Sequence, residues 1–327
     1  MNIDALASLG WVRITADDEE LYQYYYDKSA DQLSYENNWA FVCQESRFFG
    51  IRYHHSGLLL TAVLKYDASP FLFVFPPLCA DNISVNEISK ITRRLKVSAE
   101  TRVILRKLPD WLFSLVMNSG MFVQVMPDVF HHPRDCPEDI KPQVIINVGP
   151  SLACAAARFA RIRNHIRHFR QVYTPKVKDL SYDLVEDVVT LVERWNLERN
   201  EQWRRKLDTD IVSMSVDTAA YVVFARTFAG RIDKQRYFAK VVYVNGIASG
   251  FIFVGRTARH SAALYSSISL TSFRGSAEYL LQEVLAELVT ADITLLNLGG
   301  AETDGLFRFK AKFDVSALRQ SYDAELL

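Results

Sequence analysis

Three short apolar runs, YFAKVVYV at 237–244, ASGFIFVGRTA at 248–258 and SAALYSSISL at 261–270, follow one another with only Asn245-Gly246 and a polar turn at 257–260 between them. Asn-Gly tolerates the positive φ that a two-residue hairpin demands, so the runs read as an antiparallel meander. Helical spacing surrounds this block. Leu184, Val188, Leu191 and Trp195 recur along a helix at about 181–207, another helix starts near Ser276, and a basic one covers 153–173. The strand ITLLNLGG and a last segment ending FRFKAKF complete the half. Helix, helix, strands, helix, strand is the order of an α+β domain with a mixed sheet.

The first half repeats this alternation more faintly. Thr15 precedes an acidic turn, Asp17 to Glu20, that suits a helix start within 15–29. LLLTAVLKY (58–66) and PFLFVFPPL (70–78) read as paired strands broken at Asp67 to Pro70. Ser84 and Glu87 have capping-box spacing ahead of Ile88, Ile91 and Leu95, which predicts a helix over 84–97, and another follows Pro109. Pro127, Pro133, Pro137 and Pro142 extend neither ladder nor helix and mark a crossing. With 327 residues, and domains of roughly 100–200 residues, this gives two domains, 1–150 and 151–327, and allows a structural duplication without a sequence repeat.

Composition narrows the function classes. A chain 49% hydrophobic and 23% charged is neither disordered nor fibrous. The 38 basic and 38 acidic side chains cancel, which argues against a general polyanion binder, but residues 1–150 hold 14 basic and 18 acidic groups, leaving 24 and 20 in the remainder. Cys43, Cys79, Cys136 and Cys154 are too far apart for a CxxC motif, and His54-His55 and His131-His132 lack the Cys or carboxylate partners of a metal site. No metal is expected. MNIDALASLGW lacks the features of a signal peptide and no apolar run approaches the roughly 20 residues of a membrane span, so the expected location is cytoplasmic.

Three segments carry residue types suited to chemistry. The stretch 151–178 holds Arg158, Arg161, Arg163, Arg167, Arg170, Lys176 and Lys178 with no acidic residue, while Phe159, Ile162, Ile166, Phe169 and Tyr173 form a stripe at helical spacing. One face docks and the other presents cations, with His165 and His168 among them. Guanidinium forks there suit phosphates, although a solvated helix paired with acids elsewhere reads the same way. In the second segment, Arg274, Gly275 and Ser276 lie between a strand and a helix start, where small residues let backbone N–H groups approach an anion. A glycine turn capped by Ser276 is the alternative. In the third, a strand ends at Gly299-Gly300, and Arg308, Lys310 and Lys312 then alternate with Phe309, Ala311 and Phe313. On a strand the three cations share one face, either as a site or as a charged, protected edge.

LNLGGAETDGLFRFKAKF, from Leu296 to Phe313, resembles the hallmark of the phosphatidylglycerol lysyltransferase C-terminal-like proteins, the DUF2156 group. There a strand ending Asn-Leu-Gly-Gly-x-Glu-Thr is followed by Gly-Leu and Phe-Lys-x-Lys-Phe. Arg163-Asn164-His165-Ile166-Arg167-His168-Phe169 is similar to that group's basic helix, and Ser34-Tyr35-Glu36-Asn37-Asn38-Trp39 is loosely similar to its first half. The turn Gly275-x-Ala277 resembles the pyrophosphate loop of the GNAT acyltransferases, with Ser272 where that loop has Gln or Arg. The resemblance implies two tandem GNAT-like domains, each a mixed central sheet flanked by helices, as in the FemABX peptidoglycan transferases. The first would be non-catalytic.

The implied reaction moves an aminoacyl group from aminoacyl-tRNA, as co-substrate, to an amine or hydroxyl of a soluble small-molecule or peptide acceptor, with no tightly bound cofactor. Lys310 is expected nearest the reacting carbonyl. Glu302 would position the attacking amine or take its proton through water, or else order the turn. Arg163, Arg167 and Arg170 would hold tRNA phosphates, with Arg274, Gly275, Ser276 and Lys312 completing the donor site and Asn297 and Tyr265 on the acceptor side. A second reading is an acyl-CoA-dependent N-acyltransferase, the pyrophosphate on the 272–277 turn with Arg274 replacing the missing basic residue. A third is a non-catalytic RNA- or protein-binding module on the same basic face. Without a membrane span, a lipid acceptor is not expected.

Overall fold

Pro142 and the apolar residues after it lead into the second of two units. The computed structural model describes residues 3–28, 34–36, 38–46, 49–55, 57–66, 70–79, 84–125, 142–207, 218–232, 235–301 and 304–327. One unit comprises Met1–Gln143, Gly300–Asp304 and Leu318–Leu327, the other Val144–Gly299 and Gly305–Ala317. This partition differs from a single cut at 150, because the C-terminal segment returns to the first sheet.

In chain order the first unit has α1 (Ile3–Ser8), β1 (Trp11–Arg13), α2 (Glu19–Lys28), α3 (Trp39–Glu45), β2 (Gly50–His55), β3 (Leu58–Tyr66), β4 (Pro70–Val74), β5 (Leu78–Cys79), α4 (Val85–Ala99), β6 (Arg102–Leu108), α5 (Asp110–Asn118) and β7 (Phe122–Val125). The second has β8 (Gln143–Asn147), α6 (Val148–Ala153), α7 (Ala160–Tyr173), β9 (Lys176–Asp179), α8 (Val185–Leu207), α9 (Thr218–Phe228), β10 (Tyr237–Val244), β11 (Ile247–Ala258), β12 (Ser261–Ser269), α10 (Ser276–Thr290), β13 (Leu295–Asn297), α11 (Asp304–Lys310) and β14 (Val315–Arg319). β15 (Tyr322–Leu326) lies between β6 and β7 in the first sheet.

The first sheet runs β1-β2-β3-β4-β6-β15-β7 with β5 also on β3, and the second runs β14-β8-β13-β12-β11-β10-β9. The expected meander is present as β10, β11 and β12. Each sheet contains a parallel pair with a helix as its crossover: β4 and β6 around α4, and β12 and β13 around α10. In each, pairing stops part way, after Val74 and Leu105 in the first and after Ala263 and Asn297 in the second. Both sheets share this parallel pair with a helical crossover.

Burial follows the apolar stripes. Ile88, Ile91 and Leu95 of α4 and Leu112 and Val116 of α5 close one face of the first sheet, joined by Ala324 and Leu326 of β15. Ile162, Ile166 and Phe169 of α7 meet Leu280, Leu281 and Val284 of α10 over the second. On its opposite face Phe224 stacks on Phe253 with ring centroids 5.0 Å apart. Among the described residues no helix is long and apolar enough to cross a membrane.

Two expectations change. The helix foreseen over 153–173 is interrupted: α6 ends at Cys154 with φ 46, and a 3-10 turn at Ala157–Phe159 precedes α7. The strand foreseen through Arg308, Lys310 and Lys312 is instead α11 followed by a turn. Phe309 and Phe313 alternate with cations, but with Leu306 they also stand at i, i+3 and i+7. That second period prevails because it lets Phe313 enter the core while Phe307 and Phe309 pack against it.

Gly275 sets how closely α7 approaches α10. It caps α10 at φ +91, and a Cβ built there would stand 2.4 Å from the backbone oxygen of His165. Gly275→Ala therefore combines left-handed strain with a backbone clash, and we expect about 2–4 kcal/mol of lost stability in urea unfolding. A change near zero would mean that α7 does not rest on this turn.

Candidate active site

α7 and the 3-10 turn before it carry two kinds of cation. Arg158 pairs with Asp314, and Arg163 donates to the carbonyls of Cys154 and, at 2.9 Å, Ala156. Arg163 thus closes the turn between α6 and α7. Arg170 lies 3.3 Å from Glu283 and 5.2 Å from the Tyr279 ring centroid. Arg161 and Arg167 are exposed and have no hydrogen-bond or ion-pair partner among the described residues. A groove of about 350 Å3 runs along this face, lined by Arg163, Ile166, Arg167, Arg170, Gln171 and Gln282.

The turn that leads into α10 is suited to an anion, and the protein supplies its own. Glu198 of α8 accepts from the Thr271 N–H (2.7 Å), the Thr271 hydroxyl (2.8 Å) and the Ser272 hydroxyl (3.1 Å). Glu278, in the first turn of α10, is buried; its Oε1 lies 2.9 Å from His165 Nδ1 and 3.2 Å from Lys312 Nζ. Burial pushes its carboxyl up, but the His165 hydrogen bond, its own backbone N–H and Lys312 outweigh burial and hold it below the usual carboxylate range. Gly275 and Ser276, both expected to bind donor, are buried, Gly275 against the backbone of His165. Arg274 is exposed and has no partner among the described residues.

The third segment does not align its cations. Residues two apart on a helix point about 200° from each other, so Arg308 and Lys310 diverge. Lys310 is half-buried at the end of α11, while Lys312, past it, turns to Glu278 and lies 4.9 Å from the Phe309 ring centroid. Glu302 lies outside the described residues. Asn297 is buried and its Oδ1 accepts the Gly299 N–H at 2.8 Å, which orders the Gly-Gly turn. Tyr265 is buried in the aromatic cluster with Phe224, at 6.0 Å. The structure thus brings Lys312 to the α7 and α10 contact, and places Tyr265 on the face with α9. Sequence reasoning gave no role to Glu278, Glu198 or Asp314; an acid in the first turn of a helix was the available signal for Glu278. Among the described residues no group of three or more His, Cys, Asp or Glu is placed to hold a metal ion.

No family model and no curated protein matches the chain. Solved structures do. A conserved protein of unknown function from Bacteroides thetaiotaomicron aligns over 97% of this chain and 99% of its own with a TM-score of 0.78 at 13% identity. FemX aligns over 97% of each chain with a TM-score of 0.64 at 8% identity. L-PGS from Bacillus licheniformis covers 95% of this chain and 92% of its own with a TM-score of 0.59 at 13% identity. The fold is that of the GNAT/FemABX-like group, as a tandem of two GNAT-like domains built on mixed sheets flanked by helices.

Because the Glu278 carboxyl lies below its ordinary value of 4.5, its contribution to stability is complete above that value and disappears as pH falls through the lowered folded value. Glu278→Gln should unfold at lower urea concentration than wild type at pH 7, with the gap closing on acidification. A gap that stays constant to pH 3 would contradict the assignment.

Proposed function

We propose that the chain is an acyltransferase that moves an aminoacyl group from aminoacyl-tRNA to the amine or hydroxyl of a small-molecule or peptide acceptor. The observation that carries this reading is the face of α7, a helix with no acidic residue, where Arg167 stands exposed on a groove also lined by Arg163 and Arg170. Such a face neutralises a phosphate backbone, and Arg170 and Arg274 extend it. The acyl-CoA alternative is disfavoured, because Glu198 and Glu278 occupy the turn to which its pyrophosphate would bind, and two carboxylates repel a third anion.

In the proposed step the acceptor nitrogen or oxygen attacks the ester carbonyl. The new bond forms, the tetrahedral intermediate collapses, and the bond to the terminal ribose oxygen breaks. The acceptor's proton passes to that oxygen, with Glu302 as the relay through water. Lys310 is the cation assigned to the oxyanion, a role worth about 2–4 kcal/mol in comparable sites. Lys312, held by Glu278, sits beside it in the chain and supports the donor.

Arg167→Ala should raise the donor KM several-fold and reduce the salt slope of log K by about 0.7–0.9, one phosphate contact. Arg163→Ala should instead lower stability and leave that slope unchanged. RNase should abolish turnover. Turnover that survives RNase while acyl-CoA is consumed would overturn the donor assignment.

A further inference from the structure

The divergence of parallel strands in the first unit holds charged groups that the proposed transfer does not use. Past Leu105, β6 leaves β4 and enters a bulge: Leu108 faces Tyr322 and Leu105 faces Ala324, so Arg106 and Lys107 together oppose Asp323. Lys107 adopts φ 57, a conformation that glycine ordinarily supplies at such bulges. Its N–H donates to Asp323 Oδ1 at 2.7 Å. Backbone strain of this kind persists where the surroundings hold it, and it gathers at ligand sites.

The side chain is enclosed. Lys107 Nζ lies 5.5 Å from the Tyr35 ring centroid and 5.9 Å from that of Phe41, and 3.7 Å from Glu36 Oε1, with 11% of the Lys107 and 5% of the Glu36 side chain exposed. Ser34 donates its hydroxyl to Glu36 Oε2 at 2.7 Å. Glu36 Oε1 is buried and has no hydrogen-bond partner among the described residues; at 3.7 Å the ammonium attracts it without bonding to it. A buried carboxylate oxygen without a donor is costly, and it marks where an N–H or O–H group is wanted. A bare cation would meet the Lys107 ammonium, and a bare anion would meet Glu36. A ligand carrying both charges gives Glu36 Oε1 its donor while its carboxylate lies against the Lys107 ammonium. The carboxyl ends of diverging parallel strands are also where open sheets of this kind take ligands.

We propose that Glu36 and Lys107 form a binding site of the first unit for a zwitterion of the amino-acid or short-peptide class, its ammonium donating to Glu36 Oε1 and its carboxylate meeting Lys107 Nζ. The site is independent of the donor assigned to the second unit.

Calorimetric titration of the full chain with L-alanyl-L-alanine and with L-alanine tests it, with n-butylamine and N-acetyl-L-alanine as probes carrying one charge each. At least one zwitterion should bind and raise the melting temperature with concentration, and neither single-charge probe should match it. Glu36→Gln and Lys107→Met should each weaken binding by about tenfold or more, the loss of one charged hydrogen bond. Lys107→Gly removes the charge while relaxing the backbone, so it should stay folded by circular dichroism and still lose the ligand. Arg167→Ala should bind normally. Absence of heat and of thermal shift with both zwitterions would overturn the proposal, as would equal binding by the folded Lys107→Gly variant or by Glu36→Gln.

Discussion

A buried carboxylate is tolerated only where donors surround it, and the second unit meets that demand at Glu278. His165 comes from α7 and Lys312 from the turn after α11, so one oxygen ties the basic helix and the basic C-terminal segment to the start of α10. Gly275 makes the arrangement possible by letting the α7 backbone pass where any side chain would collide. With that end of α7 fixed, its apolar stripe faces Leu280, Leu281 and Val284 while Arg161 and Arg167 are exposed.

The electrostatics then separate into two regions. Among the described residues, cations without partners remain on α7 and at Arg274, while the turn into α10, which in isolation would attract an anion, already holds Glu198 and Glu278. The proposed polyanionic donor would therefore meet a helix face rather than a helix N-terminus. The chain's zero formal charge is an average that hides this distribution.

Much of the fold was legible because its signals are local. The meander showed in three strand runs and an Asn-Gly turn, α4 in its cap and stripe, and α10 in the glycine before it. Non-local pairing left no such mark: β15 is five residues whose buried positions are Ala324 and Leu326, and nothing in Tyr322–Leu326 says that it inserts between β6 and β7. The segment after Gly305 misled because its phenylalanines satisfy both a strand and a helix period, and only packing decides. The candidate site was legible in type and not in geometry. The excess of arginine on α7 was visible, but that Arg163 is spent on the carbonyls of Cys154 and Ala156 while Arg167 is not depends on the break after α6. Likewise, the φ of Lys107 follows from a bulge opposite Asp323, two hundred residues away in the chain.

The central claim is that the second unit receives a polyanionic donor on α7 and no pyrophosphate at the start of α10. Equilibrium binding of fluorescent aminoacyl-tRNA to the full chain, competed with coenzyme A across a salt series, tests it most directly. The account predicts tRNA binding that weakens steeply with salt and is indifferent to coenzyme A. Coenzyme A that binds on its own and displaces the RNA, or RNA binding without salt dependence, would contradict it.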